Sequence, residues 1–305
     1  MKFDIPILFL IFNRPHTTKE VFNEIARVKP SRLYLASDGP RSERPYEAEI
    51  VKSIRDYVIE NINWECEVLT RFNDQNLGCK VAVSSAIDWF FSNEEEGIIL
   101  EDDCLPSPTF FRFCEENLKK YKADKRVWHI SGGNFNEGWL RNPQESYYFG
   151  GIYGSIWGWA TWADRWHHYD VKMESYGQYL KGQITEKDIY DGSEAVADRL
   201  KIIKKSFYGY DTWDFQWVWA RWINSGLTIN PARNLVKNIG FGEDATHTKL
   251  IDRKALLNAD DMTFPLKHPK FVIRDAKTEK YFHKHFVKEN LIKKLVRYLL
   301  RKINA

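Results

Sequence analysis

The chain has 305 residues, 43% of them hydrophobic, and a formal net charge of +3, which is enough apolar content for one large core and too little charge for a nucleic-acid binder. No segment stays apolar for the ~18 residues of a membrane span, and the four cysteines (Cys66, Cys79, Cys104, Cys114) form no CxxC and match no zinc spacing, so reduced structural thiols in a soluble, cytoplasmic protein are expected. The charge is uneven: residues 266–305 carry 12 Lys/Arg against 3 Asp/Glu, a net +9, and the preceding body has 33 basic and 39 acidic residues, a net −6.

Ile5 to Phe12 resembles a signal-peptide core in hydropathy. It lacks a small-residue cleavage site and runs into Asn13-Arg14-Pro15, so it reads as a buried strand. Further strands are expected at Arg32 to Ser37, Trp64 to Thr70, Ile98 to Glu101 and Val127 to Ile130. Helical spacing appears between them at Thr17 to Val28, Glu43 to Ile59, Cys79 to Phe91 and Pro108 to Tyr121. Such alternation implies parallel strands with helices on both faces, and sheets of this kind take ligands beyond the carboxyl ends of their strands.

The segments that follow the expected strands are therefore informative. Asn13-Arg14 follows the first, Asp38-Gly39-Pro40-Arg41 the second, Arg71 to Gly78 the third, and Asp102-Asp103 the fourth. The last is the most pointed. The apolar run Ile98 to Leu100 ends in Glu101-Asp102-Asp103, and Ser107-Pro108 then reads as a helix start, which places the acids in the turn between strand and helix. Three adjacent acids need a compensating charge, and a hard divalent cation with open positions for phosphate oxygens supplies one; the plain alternative is a solvated acidic turn. No G-x-x-x-x-G-K-[ST] occurs and no G-x-G-x-x-G follows the first strand, so phosphates would be held by metal and side chains.

After Ser131-Gly132-Gly133 the sequence turns to glycine and aromatics, part of a chain total of 12 Trp, 15 Tyr and 19 Phe. Many must be core, but Trp and Tyr also stack on sugar rings. Residues 159 to 168 and Glu194 to Phe207 read as helices. So does Asp211 to Ser225, where Asp211, Asp214, Val218 and Arg221 would share a face and Gly226 marks the stop. A carboxylate among tryptophans is a candidate general base. Leu227 to Ile229 and Asn234 to Ile239 follow. The glycine-flanked loop from Gly240 to Thr248 then offers His247 as a phosphate donor or metal ligand.

These residues together resemble nucleotide-sugar glycosyltransferases of the GT-A fold, in particular the inverting N-acetylglucosaminyltransferases that initiate complex N-glycans and their bacterial surface-polysaccharide relatives. The resemblance covers most of residues 5 to 248. It implies an α/β fold of GT-A type, with a nucleotide-sugar-binding half at 1–131, an acceptor-binding and catalytic half at 132–265, and a basic helical tail at 266–305. It implies that Arg14 lies near the nucleotide, that Asp38 binds uracil, and that Asp103 ligates Mn2+ or Mg2+. Asp102 would lie by the ribose and phosphates, and Glu101 at the donor sugar. Pro108-Thr109-Phe110-Phe111 matches the proline and two phenylalanines that follow the family's acids, and Trp213-Asp214 matches the pair that carries its base. Asn76-Leu77-Gly78 with Lys80 is similar to a loop that flanks the donor in related transferases, and Asn13 joins the expected donor set. The family's base is followed directly by a second acid and then tryptophan, whereas Phe215-Gln216-Trp217 follows here, so Asp211 stays a rival for the role.

The expected activity is metal-dependent transfer from a nucleotide-diphosphate sugar, with UDP the expected nucleotide, to a glycan or lipid-linked glycan, with inversion. A sugar-phosphate nucleotidyltransferase is the first alternative, although Ile11 to Pro15 lacks the glycine-rich turn of that class. A silent carbohydrate-binding protein is the second. In the tail, Leu291, Ile292, Leu295, Val296, Leu299, Leu300 and Ile303 recur at helical spacing among lysines and arginines. Residues 283–305 are thus expected either to lie on an anionic membrane surface or to pack on protein.

Overall fold

The computed structural model describes residues 3–136, 139–189, 192–241 and 257–287. The strands in chain order are β1 (Ile7–Ile11), β2 (Arg32–Ser37), β3 (Glu67–Phe72), β4 (Glu96–Glu101), β5 (Cys104–Pro106), β6 (Val127–Ser131), β7 (Tyr147–Gly150), β8 (Trp159–Trp162), β9 (Leu227–Pro231) and β10 (Val236–Asn238). The helices are α1 (Pro15–Val28), α2 (Glu47–Glu60), α3 (Gly78–Phe91), α4 (Pro108–Tyr121), α5 (Ala163–Trp166), α6 (Glu174–Leu180), α7 (Glu194–Phe207), α8 (Asp214–Ile223) and α9 (Ala276–Phe282). One eight-stranded sheet runs β3-β2-β1-β4-β8-β6-β9-β7, and β5 pairs with β10 in a separate two-stranded ribbon. In the large sheet β8 is antiparallel to both neighbours and β7 to β9, while the remaining strands share one direction.

The central strands read as continuous apolar runs because both faces are covered. Along β1, Ile7, Phe9 and Ile11 point into a core made with Val21, Phe22 and Ile25 of α1 and Phe110 and Phe111 of α4. Leu8 and Leu10 point the other way, against Ile87 and Phe90 of α3 and Trp217 of α8. The period of two along a strand assigns alternate residues to opposite faces, so one five-residue strand contributes to two cores. Helix α4 starts as its sequence suggests: Ser107 is extended, Pro108 takes the first helical position, and Phe110, Phe111, Cys114, Leu118 and Tyr121 form the buried stripe. The α/β class expected from the alternation is the one observed.

Four expectations change. The third strand begins at Glu67 rather than Trp64, because Trp64 packs on Phe22 and donates its indole N–H to the Pro30 carbonyl at 3.0 Å. Residues 159–162 form a strand rather than helix. Trp159 and Thr161 alternate with Ala160 and Trp162 while β8 bridges β4 and β6, and only Ala163–Trp166 is helical. Helix α8 begins at Asp214, so Asp211 lies outside it and shares no helical face with Asp214. The acidic turn leads first into β5, whose pairing with Val236–Asn238 carries the following chain over Asp103: the Ile239 N–H donates to the Asp103 carbonyl at 2.8 Å.

Of the basic tail, residues 266–287 pack on the body. The Asp275 N–H donates to the Phe149 carbonyl at 2.7 Å, Phe282 is buried, and Phe286 and Val287 lie against the core that α7 and α8 share. Among the described residues no helix is long and apolar enough to cross a membrane. The apolar and basic positions from 288 onward lie outside the described residues.

Candidate active site

A cleft of about 510 Å3 opens at the carboxyl ends of β1, β2 and β4, where the alternation places it. Its walls include Asn13, Arg14, Asp38, Glu101, Asp102 and Asp103 from the first half of the chain and Asp211 and Asp214 from the second. Eight of the expected site residues therefore converge. Lys80 does not line the cleft; it sits in the first turn of α3. His247 lies outside the described residues.

The acids at the end of β4 are organised around Arg14. Its Nη1 lies 2.7 Å from Asp103 Oδ2 and 3.4 Å from Asp102 Oδ1. Asp102, only 5% exposed, also accepts the Phe12 N–H through Oδ2 at 3.0 Å. The compensating charge that the sequence demands is thus present within the chain. Burial opposes the charge on Arg14, but Asp102, Asp103 and Glu101 outweigh it and raise its pKa. Burial and the neighbouring carboxylates push Glu101 well above the usual glutamate range; burial likewise raises Asp102, against the pull of Arg14.

The donor chemistry here, carboxylate oxygens of Asp102 and Asp103, is of the kind a hard cation takes. Oxygens of Asp102 and Asp103 already hold one positive group between them, and Mg2+ and Mn2+ sites at phosphates use one or two carboxylates with substrate oxygens and water. Gly240 passes so close to the Asp103 carboxylate that no Cβ fits there. Among the described residues, the group of three metal-ligating side chains that converges within 4.8 Å is Glu194, Asp198 and His283, none of which lines the cleft.

At the other end the cleft is built on two further carboxylates. Asp38 is enclosed by donors: Asn73 at 3.2 Å, Asn76 at 2.9 Å, and the N–H groups of Gly39, Leu77 and Gly78 at 2.9 to 3.2 Å. These bonds occupy the acceptor capacity of both oxygens, so the residue expected to read uracil spends its carboxylate shaping the loop after β3. Glu47, 1% exposed at the start of α2, is bound by Arg41 through its backbone N–H at 2.8 Å and its side chain, and by Asn13 Nδ2 at 2.8 Å. Sequence reading missed this Glu47–Arg41 pair. Its only signal was an acid in the first turn of a helix that follows an arginine-bearing turn. Arg71, at the end of β3, lines the cleft, and its side chain makes no hydrogen bond or ion pair among the described residues.

Asp214 lines the same cleft, near enough for its charge to help raise Glu101. It opens α8, accepts the Thr212 hydroxyl, and follows Trp213, whose ring stacks on Trp159 at 5.6 Å. Burial raises its pKa, held in check by the Thr212 hydrogen bond and by the charge of Arg199. Asp211 is oriented differently: its two oxygens accept the N–H groups of Cys79 at 3.1 Å and Lys80 at 2.9 Å.

No protein-family model matches the sequence, and no curated protein matches it. Among solved structures it is similar to mouse xyloside xylosyltransferase 1 (9% identity, 72% of this chain and 81% of that one, TM-score 0.34). It is also similar to the glycosyltransferase GlyE of Streptococcus pneumoniae (9% identity, 74% of this chain and 45% of that one, TM-score 0.35). A third is a UDP-glucose pyrophosphorylase solved with UDP-glucose (11% identity, 54% of this chain and 78% of that one, TM-score 0.31). Likeness at this level goes no further than the general α/β arrangement.

Proposed function

We propose that this chain is a glycosyltransferase that moves a sugar from a nucleotide-diphosphate donor, with UDP the nucleotide its sequence resemblance implies, to a hydroxyl of a glycan or lipid-linked glycan. The observation that carries the reading is that one cleft at the carboxyl ends of parallel strands gathers Arg14, Glu101, Asp102 and Asp103 from the first half of the chain together with Asp214 from the second. Donor phosphates would lie against Arg14, whose guanidinium supplies positive charge where negative charge develops on the leaving group. Asp103, with Asp102 behind it, would hold a Mn2+ or Mg2+ ion, which when bound stabilises charge on a departing diphosphate as a Lewis acid. Asp214 would take the proton of the acceptor hydroxyl, its raised pKa suiting a general base better than that of an exposed aspartate. With one base for the acceptor hydroxyl, the reading is direct displacement with inversion.

The test is a panel of nucleotide sugars with Mn2+ and a mixture of saccharide acceptors, scored for free nucleoside diphosphate and, by NMR, for the anomer formed. Nucleoside diphosphate release with inverted product supports the reading. Pyrophosphate release from a nucleoside triphosphate and a sugar phosphate would replace it with nucleotidyl transfer, and binding without turnover would replace it with a carbohydrate-binding role.

A further inference from the structure

Helix α3 opens with four consecutive backbone N–H groups, on Leu77, Gly78, Cys79 and Lys80, the kind of helix start that usually attracts an anion. Here all four are taken by carboxylates from distant parts of the chain. Asp38 accepts from Leu77 at 3.0 Å and Gly78 at 3.2 Å, and Asp211 accepts from Cys79 at 3.1 Å and Lys80 at 2.9 Å. Gly78 has φ +79°, and a Cβ on it would lie 3.1 Å from Asp211 Oδ2, so glycine keeps this approach open. The helix end is closed to a donor phosphate and used as an anchor instead.

What it anchors is the approach to Asp214. Thr212, next after Asp211, donates its hydroxyl to Asp214, and buried Trp213 is held by its stack on Trp159 and by the Tyr169 hydroxyl on its carbonyl at 3.2 Å. The chain before Asp211 is tied to the end of α7 by its backbone, the N–H groups of Tyr208, Gly209 and Tyr210 donating to the carbonyls of Lys204, Ser206 and Lys205 at 3.1 to 3.3 Å, so the bonds of Asp211 are what join this segment to α3. We propose that Asp211 is a positioning residue that clamps the start of α8 to the start of α3 and so sets where Asp214 presents its carboxylate in the cleft. The proposal rests on Asp214 acting as the base under the reading above. Both oxygens of Asp211 point at amides, an arrangement that suits an anchor.

Asp211→Ala, Asp211→Asn and Asp214→Asn in the full chain separate the alternatives. Asp211→Ala is expected to lower kcat by ~10-fold or more, a small displacement of a base being that costly. UDP affinity with Mn2+ should hardly change, and the rising limb of the pH–rate profile should stay in place. Asp211→Asn, which keeps one acceptor oxygen, should recover part of the rate, and Asp214→Asn should abolish the limb. If Asp211→Asn is as inactive as Asp214→Asn and loses the limb, Asp211 is the base and the clamp is wrong; unchanged kcat and KM in Asp211→Ala would equally remove it. Hydrogen exchange keeps the clamp testable should the wild type transfer no sugar. Asp211→Ala must then speed exchange in residues 77–82 and 211–217 together, and an effect confined to 77–82 overturns the clamp whatever the reaction is.

Discussion

Asp103 and Arg14 meet at 2.7 Å in the wall of the cleft, an acid from beyond the end of β4 on a cation from beyond the end of β1. Because β1 and β4 are parallel neighbours, their carboxyl ends emerge side by side, and two residues 89 positions apart become one electrostatic unit. Asp103→Asn is expected to abolish turnover and most of the metal-dependent stabilisation by UDP while leaving the fold intact. A thermal-shift series with UDP, with and without chelator, checks this; equal stabilisation in both arms would remove metal from the site.

The Asp214 carboxylate should govern the rising limb of the rate against pH. Burial raises its pKa above the usual 3.8, so activity should climb with pH through a limb above that value. Asp214→Asn should remove the limb and cost ~10²-fold in rate with donor affinity little altered. Thr212→Val removes a hydrogen bond to the charged form and should move the limb to higher pH; a limb that stays put would take Thr212 out of the account.

Glu47 offers a stability prediction. Burial would raise its pKa, but the bonds from Arg41 and Asn13 outweigh burial and hold it at about 2, below the usual 4.5. A depressed carboxyl stabilises the fold fully above its unfolded value and loses that contribution as pH falls from about 4.5 towards 2. Glu47→Gln, which leaves Arg41 without its charge partner, should cost ~3 kcal/mol at pH 7 and clearly less at pH 3. Urea unfolding of both proteins at the two pH values measures the difference.

Gly240 is expected to be intolerant for a local reason. A Cβ at this position would overlap the Asp103 carboxylate, and the nearby chain is fixed by the Ile239 N–H on the Asp103 carbonyl and the Gly240 N–H on Asn238 Oδ1 at 2.9 Å. Gly240→Ala should therefore turn the Asp103 side chain away and lower turnover ~10-fold or more, with melting within a few degrees of wild type. Full activity in this variant would mean that the Asp103 carboxylate has another productive position.

The sequence by itself determined the doubly covered sheet and the place of the cleft. Runs such as Ile7–Ile11 and Ile98–Leu100 are apolar at every position, which only a strand buried on both faces requires, and helical stripes such as Phe110 to Tyr121 lie between strands. The acids that end β4 were legible for the same reason: a local hydrophobic pattern fixes where a strand stops. Pairings across the chain were not legible, because they depend on which strand ends lie side by side. Only the tertiary structure decided that Arg14 neutralises Asp102 and Asp103, that Asp38 is spent on the loop after β3, and that Arg41 is locked to a buried Glu47. The segment at 159–162 became a strand because a gap between β4 and β6 accepts its backbone hydrogen bonds, which outweighs its helical spacing. Asp211, placed by spacing on the face of Asp214, instead lies across the start of α3, since amides 131 and 132 residues away offered it two hydrogen bonds that its own helix could not.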